Sequence, residues 1–283
     1  MIYVKLMGGM GNQMFQYALG RLLSLKFDKE IRLDLSFLKN RSQHENFVYR
    51  DYDLGIFNIE GETVESVPNG KLTILQEPPH GYLIPDIVSK ARPYVESGFD
   101  ILLDGYFQKN EYIEEITNQL KKDFSLKKPL SPHSQSLAER IRATQSVCLN
   151  VRRADYVDNP NSSSFHGFHG TEYISASLPS LDNLKNLSFY VFSDDMEWCR
   201  ENVKIDHPTF YVDHYHKGES FGEYLELMKA CKHFIIPNST FGWWAAWLSP
   251  NEKKVVTTPR RWFLDEKAST IGLKPKQWIE IDY

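Results

Sequence analysis

Two adjacent arginines, Arg152 and Arg153, follow directly after an apolar run at residues 146–151, and Asp155 stands just beyond them. An apolar run of this length indicates a buried strand. At the carboxyl end of a strand in an α/β sheet, side chains face the crevice in which ligands bind. Paired guanidinium groups suit a diphosphate there, because their planar donors match phosphate oxygens. We therefore predict phosphate recognition by Arg152 and Arg153, against the alternative that Asp155 holds them in a structural ion pair.

A second polar cluster, Asn238, Ser239 and Thr240, precedes a very apolar helix predicted at residues 241–248. Hydroxyl groups and unbonded backbone N–H groups at the start of a helix form a pocket for an anion. The alternative is that Ser239 or Thr240 serves only as the helix N-cap. The sequence therefore predicts a second anion contact at residues 238–240.

Asp194 lies just past a strand predicted at residues 187–192. A carboxylate at this place can accept hydrogen bonds from the paired N–H donors of a guanine edge. Two alternatives stand beside this one: Ser193, Asp194 and Asp195 form a metal site, or they cap the helix predicted at residues 196–203. We predict the guanine contact for Asp194.

The glycines near the N-terminus, Gly8, Gly9 and Gly11, match part of a dinucleotide-binding turn, but Met14 stands where its third glycine belongs. With Met14 there, the helix cannot pack close to the sheet as that turn requires, which argues against a nicotinamide site. We expect Gly11 and Asn12 to bring backbone and amide groups to a ligand at the start of a helix. The alternative is a plain turn in which Asn12 is the helix cap.

The sequence predicts no bound metal and no cofactor. Asp51 and Asp53 match the DxD pattern of metal-dependent transferases, but a pattern this short is also typical of a surface turn. The histidines show no spacing typical of metal ligands. The cysteines are far apart with no CxxC pair, which favours buried, reduced thiols.

The bulk composition is that of an ordinary globular protein, with 283 residues, 41% hydrophobic and 25% charged. A net charge of −4 argues against a general nucleic-acid binder, which needs a basic surface. The chain has neither a secretory h-region nor an apolar run long enough to span a membrane. We expect a cytoplasmic protein with at most peripheral contact with the cytoplasmic membrane face.

Apolar periodicity predicts two successive α/β modules. The first opens with a strand at residues 2–7, a helix at 14–27 and a strand at 31–35, continues through an irregular region at 40–93, and ends with a strand at 101–108 and a helix at 111–124. A linker at residues 127–134 follows. The second module has predicted strands at 146–151, 187–192, 209–212, 234–236 and 254–257, and helices at 196–203, 221–231 and 241–248. Because strand ends on one side of a parallel sheet share a crevice, its three polar turns are expected to converge on one ligand.

Five motifs, in this order along nearly the whole chain, resemble the α-1,2-fucosyltransferases of glycosyltransferase family 11. They are Gly8-Gly9-Met10-Gly11-Asn12-Gln13-Met14-Phe15-Gln16-Tyr17, Asp104-Gly105-Tyr106-Phe107-Gln108, Val151-Arg152-Arg153-Ala154-Asp155-Tyr156, Phe192-Ser193-Asp194-Asp195 and Asn238-Ser239-Thr240-Phe241-Gly242-Trp243-Trp244-Ala245-Ala246-Trp247-Leu248. The resemblance implies a GT-B-like α/β fold of two Rossmann-type domains facing a central cleft. We expect residues 1–130 on the acceptor side and residues 131–283 to bind the GDP-sugar donor.

The resemblance also implies an activity, the inverting and metal-independent transfer of L-fucose from GDP-β-L-fucose to the 2-hydroxyl of a terminal β-galactoside. Two alternatives stay open: transfer of another sugar or to another linkage, and a non-catalytic nucleotide-sugar-binding protein. Acceptor specificity is expected in the irregular region at 40–93 and in the loop at 158–171.

The implied site residues divide into two groups. The donor-binding residues are Gly11, Asn12, Arg152, Arg153, Asp194, Asn238, Ser239 and Thr240, with Asn12 reaching toward the fucose or its β-phosphate. The catalytic residues are Arg152, Asp155 and Asn12. Asn150 stands where the family usually has a histidine, so no imidazole base is available there, and Asp155 is the candidate base although its arginine neighbours lower its basicity.

Overall fold

The computed structural model describes residues 1–42, 48–78, 86–264, 268 and 270–283. The chain divides into two compact units, one of residues 1–127 and 267–275 and the other of residues 128–266 and 276–283. The division after residue 127 falls close to the boundary that the sequence suggests at residue 130. The segment 267–275, which the sequence assigns to the second domain, belongs to the first unit.

The first unit is built on a parallel sheet with the strand order β3-β2-β1-β5-β4 among its described residues. Its strands are β1 (Ile2–Lys5), β2 (Ile31–Asp34), β3 (Glu62–Val64), β4 (Leu72–Gln76) and β5 (Asp100–Asp104). Its helices are α1 (Met10–Phe27), α2 (Ser36–Lys39), α3 (Ile87–Glu96), α4 (Glu111–Glu114) and α5 (Thr117–Asp123).

Several expectations for the first unit are wrong in detail. Helix α1 begins at Met10 rather than Met14, because Gly9 already acts as its N-cap and the glycine-rich stretch forms its first turn. The strands predicted at 2–7 and 101–108 end at Lys5 and Asp104. The predicted helix at 111–124 is two short helices, since Ile116 leaves helical geometry at φ −115° and ψ 25°. The first correction matters for function, since it places Gly11 and Asn12 inside a helix end.

The region at 40–93, predicted to be irregular, contains β3, β4 and the start of α3 in its described part. Strands β3 and β4 form the two edges of the sheet, and most of their residues are partly or fully exposed. Strands exposed in this way carry no continuous apolar run, which explains why the pattern is weak there.

The second unit is built on a parallel sheet with the order β8-β7-β6-β9-β10-β11 among its described residues. Its strands are β6 (Gln145–Val151), β7 (Leu187–Ser193), β8 (Thr209–Val212), β9 (His233–Ile235), β10 (Val256–Pro259) and β11 (Ile279–Ile281). Its helices are α6 (Pro132–Ala143), α7 (Ala154–Asp158), α8 (Pro160–His166), α9 (Thr171–Ser177), α10 (Met196–Asn202), α11 (Gly222–Lys229) and α12 (Thr240–Leu248). Counted from the first strand of the unit, this is the 3-2-1-4-5-6 order of a Rossmann fold, and the two parallel sheets confirm the predicted α/β class.

The central strands of the second sheet are buried on both faces. In β6 and β7, nearly every residue is buried, as expected of central strands covered by helices on both sides. Their apolar side chains join a core that includes Val147, Leu149, Phe189 and Val191. This core holds the carboxyl ends of β6 and β7 rigidly, and those ends carry the predicted site.

Three further observations complete the fold. The predicted linker at 127–134 already contains the start of α6, since Pro132 occupies its first turn, where the missing N–H costs nothing. The cysteines Cys148, Cys199 and Cys231 are buried and unbridged, as predicted. Among the described residues, no helix has both the length and the apolar character needed to cross a membrane.

Candidate functional site

The second sheet has a topological switch point between β6 and β9, where the strand order reverses. Ligands of open α/β sheets bind at the carboxyl ends of the strands at such a point. Arg152 and Arg153 follow β6, and Asn238, Ser239 and Thr240 follow β9. The fold therefore brings two of the predicted anion-binding turns to the same switch point.

Arg152 lies beside Asp194, at the end of the neighbouring strand β7. Its Nη1 atom is 2.8 Å from Asp194 Oδ2, with side-chain exposures of 26% and 20%. Within the described residues no donor is aligned for a hydrogen bond with Oδ2. We regard this contact as electrostatic attraction without a directed bond, because a short distance with poor alignment gains charge energy but little bond energy. The other carboxylate oxygen, Oδ1, accepts a hydrogen bond of 2.8 Å from the backbone N–H of Arg153.

Arg153 has a directed ion pair and two ring contacts, whereas the guanidinium carbon of Arg152 lies 5.5 Å from the ring centre of Tyr156. The Nη1 atom of Arg153 donates to Asp195 Oδ2 at 2.5 Å, and its guanidinium carbon lies 5.9 Å from the ring centre of Phe168 and 5.5 Å from that of Trp198. Asp195 in turn caps α10, accepting a 3.0 Å hydrogen bond from Trp198 N. These surroundings favour a positioning role for Arg153.

Among the described side chains, both arginines pair with carboxylates of the β7 turn, Arg152 with Asp194 and Arg153 with Asp195. The structural alternative names Asp155 as the partner. Asp155 lies in α7, and its side chain is outside the described part of the chain. Its assignment as a base stays a prediction, as does the phosphate role of the arginines.

The turn that carries Asp194 is fixed through Ser193. Tyr224 OH accepts from Ser193 N at 3.1 Å and lies 2.7 Å from Val212 O, to which it donates. His214 Nε2 lies 2.8 Å from Ser193 O. Burial raises the pKa of the Tyr224 hydroxyl, so this group stays a neutral donor. The sequence gives one hint of Tyr224, a hydroxyl on the buried face of a predicted helix, but none of its partners.

The start of α12 has the geometry of an anion pocket. Ser239 is the N-cap, and its Oγ accepts from Gly242 N at 3.4 Å. Thr240 is the first residue of the helix and is half-buried. The positive end of the helix dipole and the first N–H groups of α12 lie here. The predicted position of Ser239 and Thr240 at a helix start is therefore confirmed, while their contact with a ligand stays a prediction.

Asn238 points away from solvent and holds two loops in place. It is 2% exposed, and its amide nitrogen donates to His166 O at 2.8 Å and to Trp262 O at 2.9 Å. This arrangement gives Asn238 a positioning role, and the ligand contact that the sequence suggests for it stays a prediction.

Asn150 is buried in β6 and faces α12. Its Nδ2 donates to Phe192 O at 3.2 Å. A Cβ atom on Gly242 would lie 2.5 Å from Asn150 Oδ1. The amide of Asn150 thus occupies the space that the missing side chain of Gly242 leaves open.

The first sheet has its own switch point, between β1 and β5. Gly11 and Asn12 lie in the first turn of α1, just past β1, and Gln108 lies just past β5. Gln108 Nε2 donates to Asn12 Oδ1 at 2.9 Å, bridging the two strand ends. The buried side chain of Gln13 holds the adjoining loop, donating to Asp51 O at 2.8 Å and accepting from Asp53 N at 3.0 Å.

The DxD pattern does not form a metal centre in the described part of the chain. Asp51 is 84% exposed and pairs with Arg41 at 2.5 Å. Among the described residues, no three His, Cys, Asp or Glu side chains lie close enough to hold a metal ion.

Comparison with known proteins links this site to glycosyl transfer. The family model of glycosyl transferase family 11 matches residues 94–282. An α-1,2-colitosyltransferase from Escherichia coli is 29% identical over 296 residues, which cover 99% of this chain and 99% of the relative. A galactoside 2-α-L-fucosyltransferase from Caenorhabditis elegans is 26% identical over 168 residues, covering 55% of this chain and 44% of the relative.

A solved structure shows the same fold at low sequence identity. NodZ α-1,6-fucosyltransferase, co-crystallised with GDP, matches with a TM-score of 0.51 at 12% identity, covering 88% of this chain and 92% of NodZ. This likeness supports the predicted GT-B-like fold. The residues matched by the family model make up most of the chain and include the arginine turn, the Asp194 turn and the start of α12. The chain therefore belongs to glycosyl transferase family 11.

Proposed function

We propose that this protein transfers L-fucose from GDP-β-L-fucose to the 2-hydroxyl of a terminal β-galactoside, with inversion and without a metal ion. Family membership supports glycosyl transfer. The names of the two relatives support an α-1,2 linkage and a galactoside acceptor. The single observation that carries the proposal is the placement of Arg152 and the start of α12 at the switch point of the second sheet.

The chemistry follows from the movement of charge. As the bond between the fucosyl carbon and the phosphate oxygen breaks, negative charge grows on GDP and positive charge grows on the sugar ring. Groups that are already oriented toward the developing negative charge stabilise the transition state. Arg152 supplies a full positive charge, and the end of α12 supplies roughly half a charge. Together they take the part that a divalent ion plays in metal-dependent transferases.

Asp194 connects nucleotide recognition to this charge. Its Oδ1 accepts from Arg153 N, so guanine can bond to Oδ2 only by entering the buried space beside Arg152. That oxygen is also the one beside Arg152. We propose that guanine takes over Oδ2 and that Arg152 then turns to the diphosphate.

The acceptor reacts from the face opposite to the leaving group. The 2-hydroxyl oxygen bonds to the fucosyl carbon as the phosphate oxygen departs with the bonding electrons, which converts a β-linked donor into an α-linked product. The hydroxyl proton passes to a base. We propose Asp155 for this step, since it follows the arginine turn by two positions and is the carboxylate nearest to it along the chain.

A second candidate donor is GDP-colitose. A relative that matches this chain over nearly its full length is an α-1,2-colitosyltransferase. Colitose is fucose without the 3-hydroxyl group, so the same diphosphate-binding groups, Arg152 and the start of α12, serve both donors. Discrimination between them rests on contacts with that one hydroxyl.

The proposal is tested by incubating the purified protein with lactose and GDP-fucose or GDP-colitose in the presence of EDTA. We expect an α-1,2-linked fucosyl product, identified by NMR of the isolated trisaccharide. Product formed only from GDP-colitose would assign the second donor. Strict dependence on Mn²⁺ would overturn the metal-free mechanism, and tight GDP binding with no turnover over a panel of acceptors would establish a non-catalytic binding protein.

A further inference from the structure

The loop between β5 and α4 has a backbone shape that its sequence does not favour. Phe107 has a φ of 49°, in the left-handed region, although it is not a glycine. Its side chain is 1% exposed. Such a conformation is costly for a bulky residue and persists only where the surroundings impose it. Strained backbone of this kind is concentrated at functional sites.

Glu77, the residue after β4, imposes the shape. Its Oε2 accepts from Tyr106 N at 2.7 Å and its Oε1 accepts from Phe107 N at 3.1 Å. A Cβ atom at Gly105 would lie 2.3 Å from Glu77 Cβ, so the loop can approach the carboxylate only because residue 105 is glycine. Both carboxylate oxygens are thus committed to the loop backbone. Glu77 therefore affects the positions of the loop side chains indirectly, through the loop backbone.

Two side chains of the loop, Tyr106 and Gln108, follow the carboxyl end of β5, which lies at the switch point of the first sheet. Gln108 donates through Nε2 to Asn12 Oδ1, and within the described residues its Oε1 has no hydrogen-bond partner. Tyr106 is 41% exposed, which is unusual for a large ring at the end of a buried strand. The place and the groups together match a ligand site, because such sites combine an aromatic surface with a few oriented polar groups at a switch point.

The chemistry of these groups selects a neutral, hydroxyl-rich ligand. An amide oxygen accepts hydrogen bonds from hydroxyl groups, and an aromatic face packs against the C–H face of a sugar ring. The loop offers no cation for a phosphate: its lysine, Lys109, is 2% exposed and donates through Nζ to Ile271 O at 2.7 Å. A pyranoside fits this set of groups better than a nucleotide does.

We infer that Tyr106 and Gln108 form the subsite that receives the acceptor sugar, and that Glu77 is the positioning residue that sets their geometry. The inference rests on the proposed function, since it names the acceptor side of that reaction. Gln108 donates to Asn12, the residue proposed to reach the transferred sugar, so the acceptor subsite adjoins that residue.

The test compares steady-state constants for lactose and for GDP-fucose in three variants. Tyr106→Ala and Gln108→Ala are each expected to raise the KM for lactose by roughly tenfold or more, while the KM for GDP-fucose changes by less than about threefold. Tyr106→Phe keeps the ring and is expected to keep the KM for lactose near the wild-type value. Tyr94→Ala is the matched control, since Tyr94 lies in the same unit and is also 41% exposed. Unchanged GDP affinity in each variant shows that the protein is folded.

Glu77 is tested through its coupling to Gln108. Glu77→Gln replaces one acceptor oxygen by an amide nitrogen that cannot accept from the loop backbone, so the KM for lactose is expected to rise. In the double variant Glu77→Gln/Gln108→Ala, the KM for lactose is expected to match that of Gln108→Ala alone. If the double variant instead raises the KM for lactose by the product of the two single increases, Glu77 does not act through Gln108 and is merely structural.

The outcomes separate the inference from the proposed function. Wild-type protein that transfers no sugar from either donor defeats the proposed function and the inference with it. Wild-type protein that transfers fucose, with lactose KM values unchanged in Tyr106→Ala and Gln108→Ala, leaves the proposed function standing and overturns the acceptor subsite.

Discussion

Replacing Arg152 and Arg153 by alanine, one at a time, separates a phosphate-binding arginine from a structural one. The residues are neighbours in sequence but differ in surroundings. Arg152 faces Asp194 across 2.8 Å with no aligned bond to the facing oxygen, and its guanidinium carbon lies 5.5 Å from the ring centre of Tyr156. Arg153 donates to Asp195 and lies near the rings of Phe168 and Trp198. We expect the first substitution to reduce mainly the rate and the second mainly the stability.

The magnitude for Arg152→Ala follows from the bonds that are lost in the transition state. Two charge-assisted hydrogen bonds to the departing diphosphate are worth about 1.5–3 kcal/mol each, or ~3–6 kcal/mol together. This converts to a fall in kcat/KM of about 10²–10⁴. The free energy of unfolding should fall by only about 1–3 kcal/mol, because Asp194 loses its cation but keeps the hydrogen bond from Arg153 N.

The balance is reversed for Arg153→Ala. Two ring contacts at 5.9 and 5.5 Å are worth about 0.5–2 kcal/mol each, and the ion pair with Asp195 adds to them. We expect the free energy of unfolding to fall by roughly 2–5 kcal/mol. The kcat/KM of the folded fraction should fall by about tenfold or less, since the loss acts through the position of the β7 turn.

The assay measures kcat/KM with saturating acceptor, GDP affinity by calorimetry and unfolding by urea for each variant. Arg200→Ala is the control, because Arg200 stacks on Tyr211 at 5.2 Å in the same unit and has no proposed role in the site. If Arg152→Ala has a kcat/KM within tenfold of the wild-type value and also loses stability, the ion pair with Asp194 is structural. The proposed stabilisation of the departing diphosphate by Arg152 would then be wrong.

Three further predictions concern the second unit. Ser239→Asp keeps a good N-cap on α12, so Tm should hold, but its carboxylate should raise the Kd for GDP by about 100-fold or more in calorimetry. Gly242→Ala puts a Cβ atom 2.5 Å from Asn150 Oδ1 and should lower the free energy of unfolding by about 1–3 kcal/mol in urea titrations. The double variant Asn150→Ala/Gly242→Ala should recover part of this loss, because the clashing amide is gone. Burial lowers the pKa of His169 from 6.5 to about 4, so between these pH values the unfolded chain binds a proton that the folded chain does not. The free energy of unfolding should therefore fall by about 2 kcal/mol between pH 7 and 4.5 in urea titrations, and His169→Phe should flatten this dependence.

The sequence is most informative where strands are buried on both faces. For β6 and β7, the predicted ranges 146–151 and 187–192 differ from the observed ones by a single residue at one end. A buried parallel strand must be continuously apolar, and the polar turn that follows marks its end. The edge strand β11 is mostly exposed and carries no such signal, so its position depends on pairing with β10 alone.

The partners within the site are harder to predict than the site itself. The arginine turn and the aspartate turn can each be located from the strands that precede them. That Arg152 faces Asp194 depends on the register of β6 and β7, in which Val151 lies opposite Ser193. Register is set by packing across the sheet, which a single sequence does not reveal. The contacts of Glu77 with Tyr106 and Phe107 are hidden for the same reason, since they join the ends of β4 and β5.

In the proposed mechanism, the geometry of Asp194 links base recognition to catalysis. Oδ1 is held by Arg153 N, so Oδ2 must serve either Arg152 or the guanine edge. A nucleotide whose base cannot donate to Oδ2 leaves Arg152 attracted to Asp194 and away from the diphosphate. Base selectivity should therefore appear in kcat as well as in KM. In Asp194→Asn the attraction is gone, and we expect the preference for GDP over UDP, measured as a ratio of Kd values, to shrink by about tenfold or more. An unchanged ratio in that variant would mean that guanine is read elsewhere, and that Arg152 reaches the phosphates without any exchange at Asp194.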